Sequence, residues 1–149
     1  MEGDPKMSPD GKWFAYTSNE SGDSEIYVRP FPEVDTEKQQ ISNGGGSCPL
    51  WSPDGRELFY LSTANDVMAV PVKTEPSLSL GKPECLFRSM NVARDFGKGN
   101  PWDIHPKDKR FLMMKEVVLP DKPAAAEAPQ KINIVVNWFD ELKQRVPVK

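Results

Sequence analysis

Long apolar runs are missing from this 149-residue chain. No stretch approaches the ~20 residues that cross a bilayer as a helix. The N-terminal MEGDPKMSPDGKW is acidic and polar, unlike a secretory signal. Neither sign of charge dominates. Lys and Arg number 19 against 22 Asp and Glu, for a net charge of -3, and no basic stripe is visible. Nucleic acid is therefore not an expected partner. Histidine is nearly absent: His105 is the single one, which leaves little from which to build a Ser-His-Asp arrangement. The two cysteines, Cys48 and Cys85, are too few for a disulfide scaffold and match no common zinc spacing. They read as small buried or half-buried thiols. No G-x-S-x-G elbow and no P-loop occurs, and Gly97-Lys98-Gly99-Asn100 lacks the phosphate-loop spacing. No catalytic residue, metal site or cofactor is expected.

Turn formers and aromatics, by contrast, are plentiful. There are 15 prolines and 10 glycines, with 4 Trp, 3 Tyr and 7 Phe. That balance favours short strands and tight turns over long helices. Hydrophobic residues are 38% of the chain, enough to build a core.

Internal repetition organises the rest. Ser8-Pro9-Asp10-Gly11 recurs as Ser52-Pro53-Asp54-Gly55, and more weakly as His105-Pro106-Lys107-Asp108. The segments that follow also align: KWFAYTS from Lys12, RELFYLS from Arg56 and KRFLMMK from Lys109. Further on, Glu25 to Phe31 (EIYVRPF) matches Asp66 to Val72 (DVMAVPV). In S-P-D-G, proline presets φ at the second turn position. Aspartate can bond nearby backbone, and glycine takes the left-handed conformation that returns the chain to a strand. The motif is a hairpin turn. In the third copy Asp108 stands in the glycine place, and His105 reads as a turn residue rather than a catalytic base.

The strand after each turn is apolar on both faces. Phe14 and Tyr16 oppose Trp13, Ala15 and Thr17; Leu58 and Tyr60 oppose Phe59 and Leu61; Phe111 and Met113 oppose Leu112 and Met114. Such a sheet must be covered on both sides. Repeats of ~40–45 residues with short strands and two buried faces are the signature of propeller blades. The expected fold is all-β: a partial β-propeller of about three four-stranded antiparallel blades with a short C-terminal helix. Blade 1 is assigned to 1–46, and blade 2 with a link to 47–99. Blade 3 takes 100–137 with a Pro/Ala-rich loop at 120–130, and the helix and tail take 138–149. The fourth strands are placed at Gln39 to Ser42 and Glu84 to Phe87, and Asn43 to Gly46 reads as a flexible connector. On that reading Gly55→Val costs more stability than Gly45→Val.

The chain resembles the TolB-like, WD-repeat-like β-propeller repeats, through SPDGKWFAYTSNESGDSEIYVRPFP and WSPDGRELFYL. It resembles in particular the C-terminal propeller of some bacterial serine/threonine protein kinases and related sensor proteins. The carrying phrases are Tyr16 to Gly22, Glu25 to Pro32 and the closing Asn137 to Lys143. The kinase motifs themselves are not in this sequence. Such propellers close with six or more blades, so three imply the tail of a longer protein or open blade edges that self-associate. The segment from Trp138 to Lys149 reads as a chain end. The resemblance implies a non-catalytic scaffold for a protein, peptide or ligand within a signalling parent, compatible with an extracytoplasmic location. The alternatives are the propeller lid of a prolyl-peptidase-type hydrolase and a self-assembling structural module. Recognition is assigned to the inter-strand loops 19–24, 63–66 and 88–102, with Asn19, Glu20, Asp23, Asn65, Arg94 and Trp102 as candidate binding residues. The S-P-D-G residues and their third-copy partners Pro106 and Asp108 are structural.

Overall fold

A computed structural model describes residues 2–89, 92 and 100–115. Arg94, the loop at 120–130, the end of the third blade to 137 and the helix and tail at 138–149 lie outside the described residues.

Every described regular element is a β-strand. β1 (Glu2–Met7), β2 (Trp13–Ser18), β3 (Glu25–Pro30) and β4 (Gln39–Gln40) form an antiparallel meander in chain order, the first blade. β5 (Gly46–Trp51), β6 (Glu57–Ser62) and β7 (Asp66–Lys73) repeat it as the second blade. There β8 (Ser79–Leu80) pairs with the far end of β7, and β9 (Glu84–Arg88) supplies the fourth long pairing. β10 (Trp102–Ile104) and β11 (Phe111–Met113) are the described strands of the third blade. The chain is thus all-β and built as a partial propeller.

Each S-P-D-G turn is closed by the same bonds. Ser8 Oγ donates to Asp10 Oδ1 at 2.5 Å and accepts from Trp13 N at 3.0 Å. Gly11 N reaches Ser8 O at 2.9 Å with φ 71°. The second copy repeats this: Ser52 Oγ bonds Asp54 at 2.7 Å and accepts from Glu57 N at 2.9 Å, and Gly55 has φ 70°. Serine is required because one hydroxyl both donates to the aspartate and accepts from the returning strand.

The third turn corrects one expectation. Asp108 does not take the left-handed place; Lys109 does, with φ 56°, and its N reaches back to His105 O at 3.0 Å. Asp108 instead does what Asp10 and Asp54 do one position earlier in their turns. Its Oδ1 accepts from Arg110 N at 3.2 Å and lies 2.8 Å from His105 Nδ1. Without a glycine the bend moves one residue along, and the imidazole replaces the serine hydroxyl. Pro106 keeps the second position. Lys109 Nζ also reaches Asp54 Oδ2 at 2.7 Å, tying the second and third turns together. With the Ser52 hydroxyl, this ammonium holds the Asp54 carboxyl well below the usual carboxylate range. The stabilisation is present above about pH 4 and is lost as pH falls, but it is small because both groups are solvated.

The blades stack face to face. Trp13, Ala15, Ile26 and Val28 of the first blade meet Trp51, Leu58, Tyr60 and Val70 of the second. The opposite face of the second blade, with Phe59, Leu61, Val67 and Phe87, packs on Trp102, Phe111 and Met113 of the third. Each such side chain contributes about 1.5–3 kcal/mol on full burial. A tryptophan fastens each contact. Trp51 Nε1 donates to Lys6 O at 3.0 Å, and Trp102 Nε1 donates to Cys48 O at 3.0 Å. Both acceptors lie on the first strand of the preceding blade. That strand bulges at the same repeat position in both blades, where Asp4 has φ 54° and Cys48 φ 55°. Cys48 is half-buried as expected, whereas Cys85 is exposed because it lies on the outermost strand of its sheet.

The glycine connector is not free. Gly44 N and Gly45 N donate to Glu25 Oε1 at 3.0 and 2.9 Å, and Gly46 is already the first residue of β5. Gly45 has φ 99°, and a Cβ there would meet Thr63 Cγ2 at 2.3 Å. At Gly55 a Cβ finds only ordinary contact with Pro9, 3.6 Å away. The expected order of the two glycine substitutions is therefore reversed. Gly45→Ala is expected to cost ~2–3 kcal/mol in urea unfolding, and Gly55→Ala only ~1 kcal/mol. The opposite order would show that the connector is loose after all.

Candidate functional site

Antiparallel meanders put their S-P-D-G turns at one end of the stack and their β2–β3 and β6–β7 loops at the other. The loop end is where the sequence places recognition. There Asp23 and Ser24 of the first blade, Gly44 to Ser47, and Leu61 and Thr63 of the second blade surround an open hollow of about 290 Å³. Loops from adjacent blades thus share one concavity.

Its floor is fixed from beneath by a buried carboxylate. Glu25 opens β3 with its side chain turned inward, where it accepts from the Ser42 hydroxyl and from the Gly44 and Gly45 amides. Ser42 Oγ in turn accepts from Ile26 N at 2.8 Å, and Gly46 N donates to Ser24 O at 2.7 Å. Consecutive glycine amides make a concavity for an anion, and the protein fills it with its own carboxylate. Burial, with the nearby Glu25 charge, raises the Tyr60 phenol above its ordinary pKa. The sequence analysis placed Glu25 only at the head of the repeated third strand and missed this role. The available signal was an acidic residue at a strand start followed by a run of glycines.

The candidate binding residues separate. Asp23 lines the hollow and is exposed. Asn19 and Glu20 are exposed on the same loop but outside that lining. Glu20 Oε2 pairs with Lys38 Nζ at 2.8 Å, and Asn19 O accepts from Gly22 N at 3.0 Å. Asn65 is half-buried with φ 65° and shapes the β6–β7 bend through its N, which reaches Ser62 O at 3.0 Å. Arg94 lies outside the described residues. Trp102 is a correction. It is not on a rim but is 3% exposed, stacked on Phe111 with centroids 5.6 Å apart, and bonded to Cys48 O. The long link before it hid the repeat register that places it between blades. Among the described residues, no group of three or more His, Cys, Asp or Glu could hold a metal ion.

A second surface is the outer face of the first blade. Phe14 stacks on Tyr16 at 5.4 Å, and Tyr16 meets Tyr27 at 5.8 Å. Arg29 Nε donates to Tyr16 OH at 2.8 Å and Nη1 to Val34 O at 2.8 Å. The phenol bond is the main reason the guanidinium pKa is raised. Lys38 Nζ sits 5.4 Å from the Tyr27 ring centre. Tyr16, on a strand expected to be covered on both faces, is 5% exposed but lies on a face with no neighbouring blade among the described residues.

Comparison with known proteins adds the following. No protein-family model matches the chain. The uncharacterized peptidase YuxL of Bacillus subtilis (strain 168) is 38% identical over 57 residues, a match that covers 38% of this chain and 9% of that protein. Among solved structures, the chain is similar to TolB from Acinetobacter baumannii, with a TM-score of 0.49 and 17% identity over 76% of this chain and 26% of that one. The chain therefore spans a small part of the length of either protein. Trp102→Ala is expected to lower the unfolding free energy by ~3–5 kcal/mol in urea titration. A loss below ~0.5 kcal/mol would mark a solvent-facing rim residue instead.

Proposed function

We propose that the chain is a recognition segment without chemistry of its own, binding a protein or peptide at the loop end of its blade stack. One observation carries this reading. Loops from two blades converge on a hollow whose walls are held by the Glu25 bonds, so the surface is set before a partner arrives. The hollow mixes an exposed carboxylate at Asp23 with the exposed Thr63 side chain and glycine backbone, a lining suited to an extended peptide. The resemblance of Tyr16 to Gly22, Glu25 to Pro32 and Asn137 to Lys143 to kinase-linked propellers supports a signalling parent with a kinase module.

A second reading follows from the likeness to a protein described as a peptidase. In it the blades form an accessory domain beside a hydrolase, guarding access to a separate active site. In-frame coding DNA for a kinase module, or for a hydrolase with a nucleophile elbow, separates the two parents.

Panning a displayed peptide library tests recognition itself. Peptides selected on the natural chain are expected to bind Thr63→Arg at least about tenfold more weakly, since the new side chain fills the hollow, and Lys107→Ala at the turn end equally well. Failure to select any peptide, or equal binding to Thr63→Arg, would remove the hollow from consideration.

A further inference from the structure

The loop-end hollow carries charge of one sign. Its lining comes from the first two blades and the connector between them, and Asp23 is the one titratable side chain among the described residues of that lining. Three consecutive glycine amides would ordinarily draw an anion. Here all three are engaged inside the chain. Gly44 N and Gly45 N donate to Glu25 Oε1 at 3.0 and 2.9 Å, and Gly46 N donates to Ser24 O at 2.7 Å. An anion entering the hollow meets no open glycine donor. It meets one carboxylate on the wall and a second, Glu25, beneath the floor. Glu25 is 4% exposed, so solvent ions screen it less than they screen a surface charge.

Asp23 also differs from Glu20 on the same loop. Glu20 has its own cation, Lys38, at 2.8 Å. Asp23 is exposed and makes no ion pair with any described residue. Its position is nevertheless set. On one side Gly22 N bonds Asn19 O at 3.0 Å, and on the other Ser24 O accepts from Gly46 N. Thr63 of the second blade closes on the connector because Gly45 has no Cβ, which would meet Thr63 Cγ2 at 2.3 Å. An unpaired carboxylate is thus held at a fixed place in a hollow whose backbone donors are already taken.

We propose that the hollow takes a lysine or arginine side chain of an extended peptide, with Asp23 as the residue that selects the positive charge. This rests on the peptide-binding reading of the hollow and adds the sign of its ligand. A volume of about 290 Å³ admits one long side chain rather than a folded surface. The cationic head meets Asp23 in a charge-assisted hydrogen bond, and the apolar stem lies along glycine backbone and the Thr63 methyl group. Because Asp23 is open to water, the pair discriminates among peptides more than it anchors them. A phosphorylated or acidic peptide is disfavoured by both carboxylates.

Peptides selected from a random library on the full chain, then synthesised with acetylated N-termini, test it by fluorescence anisotropy. They are expected to share a Lys or Arg whose replacement by Gln weakens binding about three- to tenfold. Asp23→Asn is expected to lose the same factor for the parent peptide and nothing for its Gln form, and to flatten the salt dependence of binding. Thr63→Arg keeps the two levels apart. If it abolishes binding while Asp23→Asn changes nothing, or if the peptides share no basic residue, the hollow binds peptides without a charge preference and this inference alone is overturned. If Thr63→Arg binds as well as the natural chain, the peptide-binding reading goes, and this inference with it. Binding lost on N-terminal acetylation would put the charge on the peptide's amino terminus and overturn the side-chain assignment.

Discussion

The structure depends on one constraint: the second blade is apolar on both faces and is stable only between two other sheets. Neighbouring residues of β6 face opposite ways, Leu58 and Tyr60 into one core, Phe59 and Leu61 into the other. A lone antiparallel sheet would leave one of these sets in water. The stacking is also made specific. Trp51 and Trp102 each reach one carbonyl on the preceding blade, which sets spacing as well as contact. The carbonyls are presented by the β1 and β5 strands, whose bulges sit at the left-handed Asp4 and Cys48.

The loop-end hollow follows from that stacking. Two blades must stand side by side before their loops can share a concavity, and the connector between them must be fixed for it to have a shape. Glu25 does the fixing by satisfying two backbone amides and a hydroxyl at a position where water is excluded. An internal carboxylate with three donors is worth keeping only if the connector has to hold one conformation. Rigid blades carrying loops of variable chemistry are a general arrangement for recognition, and the function proposed here uses no more than that.

Much of the fold was legible because the turn motif states its own chemistry. Ser, Pro, Asp and Gly at those spacings specify a hairpin, and apolar residues on both faces of the next strand specify stacking. The alignment of EIYVRPF with DVMAVPV put the third strands where β3 and β7 lie. What failed were features that repetition does not encode. In the third turn the loss of glycine moved the left-handed residue to Lys109, because Asp108 was needed to bond Arg110 N. The bulges were invisible, since Cys48 does not announce positive φ and Asp4 sits in no turn motif. The glycine connector looked loose because its partner, Glu25, is far away in sequence. Trp102 looked peripheral because it lies between a long link and the weakest copy of the turn motif. In the site, Asp23 lines the hollow while Asn19 and Glu20 on the same loop do not, because local sequence reports that a loop is polar and not which loops meet.

The most direct test of the stacked-sheet account compares Leu58→Ala with Phe59→Ala in urea unfolding. These adjacent residues of one strand face opposite cores, and both are buried. The account requires each substitution to cost about 2–5 kcal/mol. If either variant keeps the natural stability, one face of the second blade is wet, and the propeller assignment is wrong.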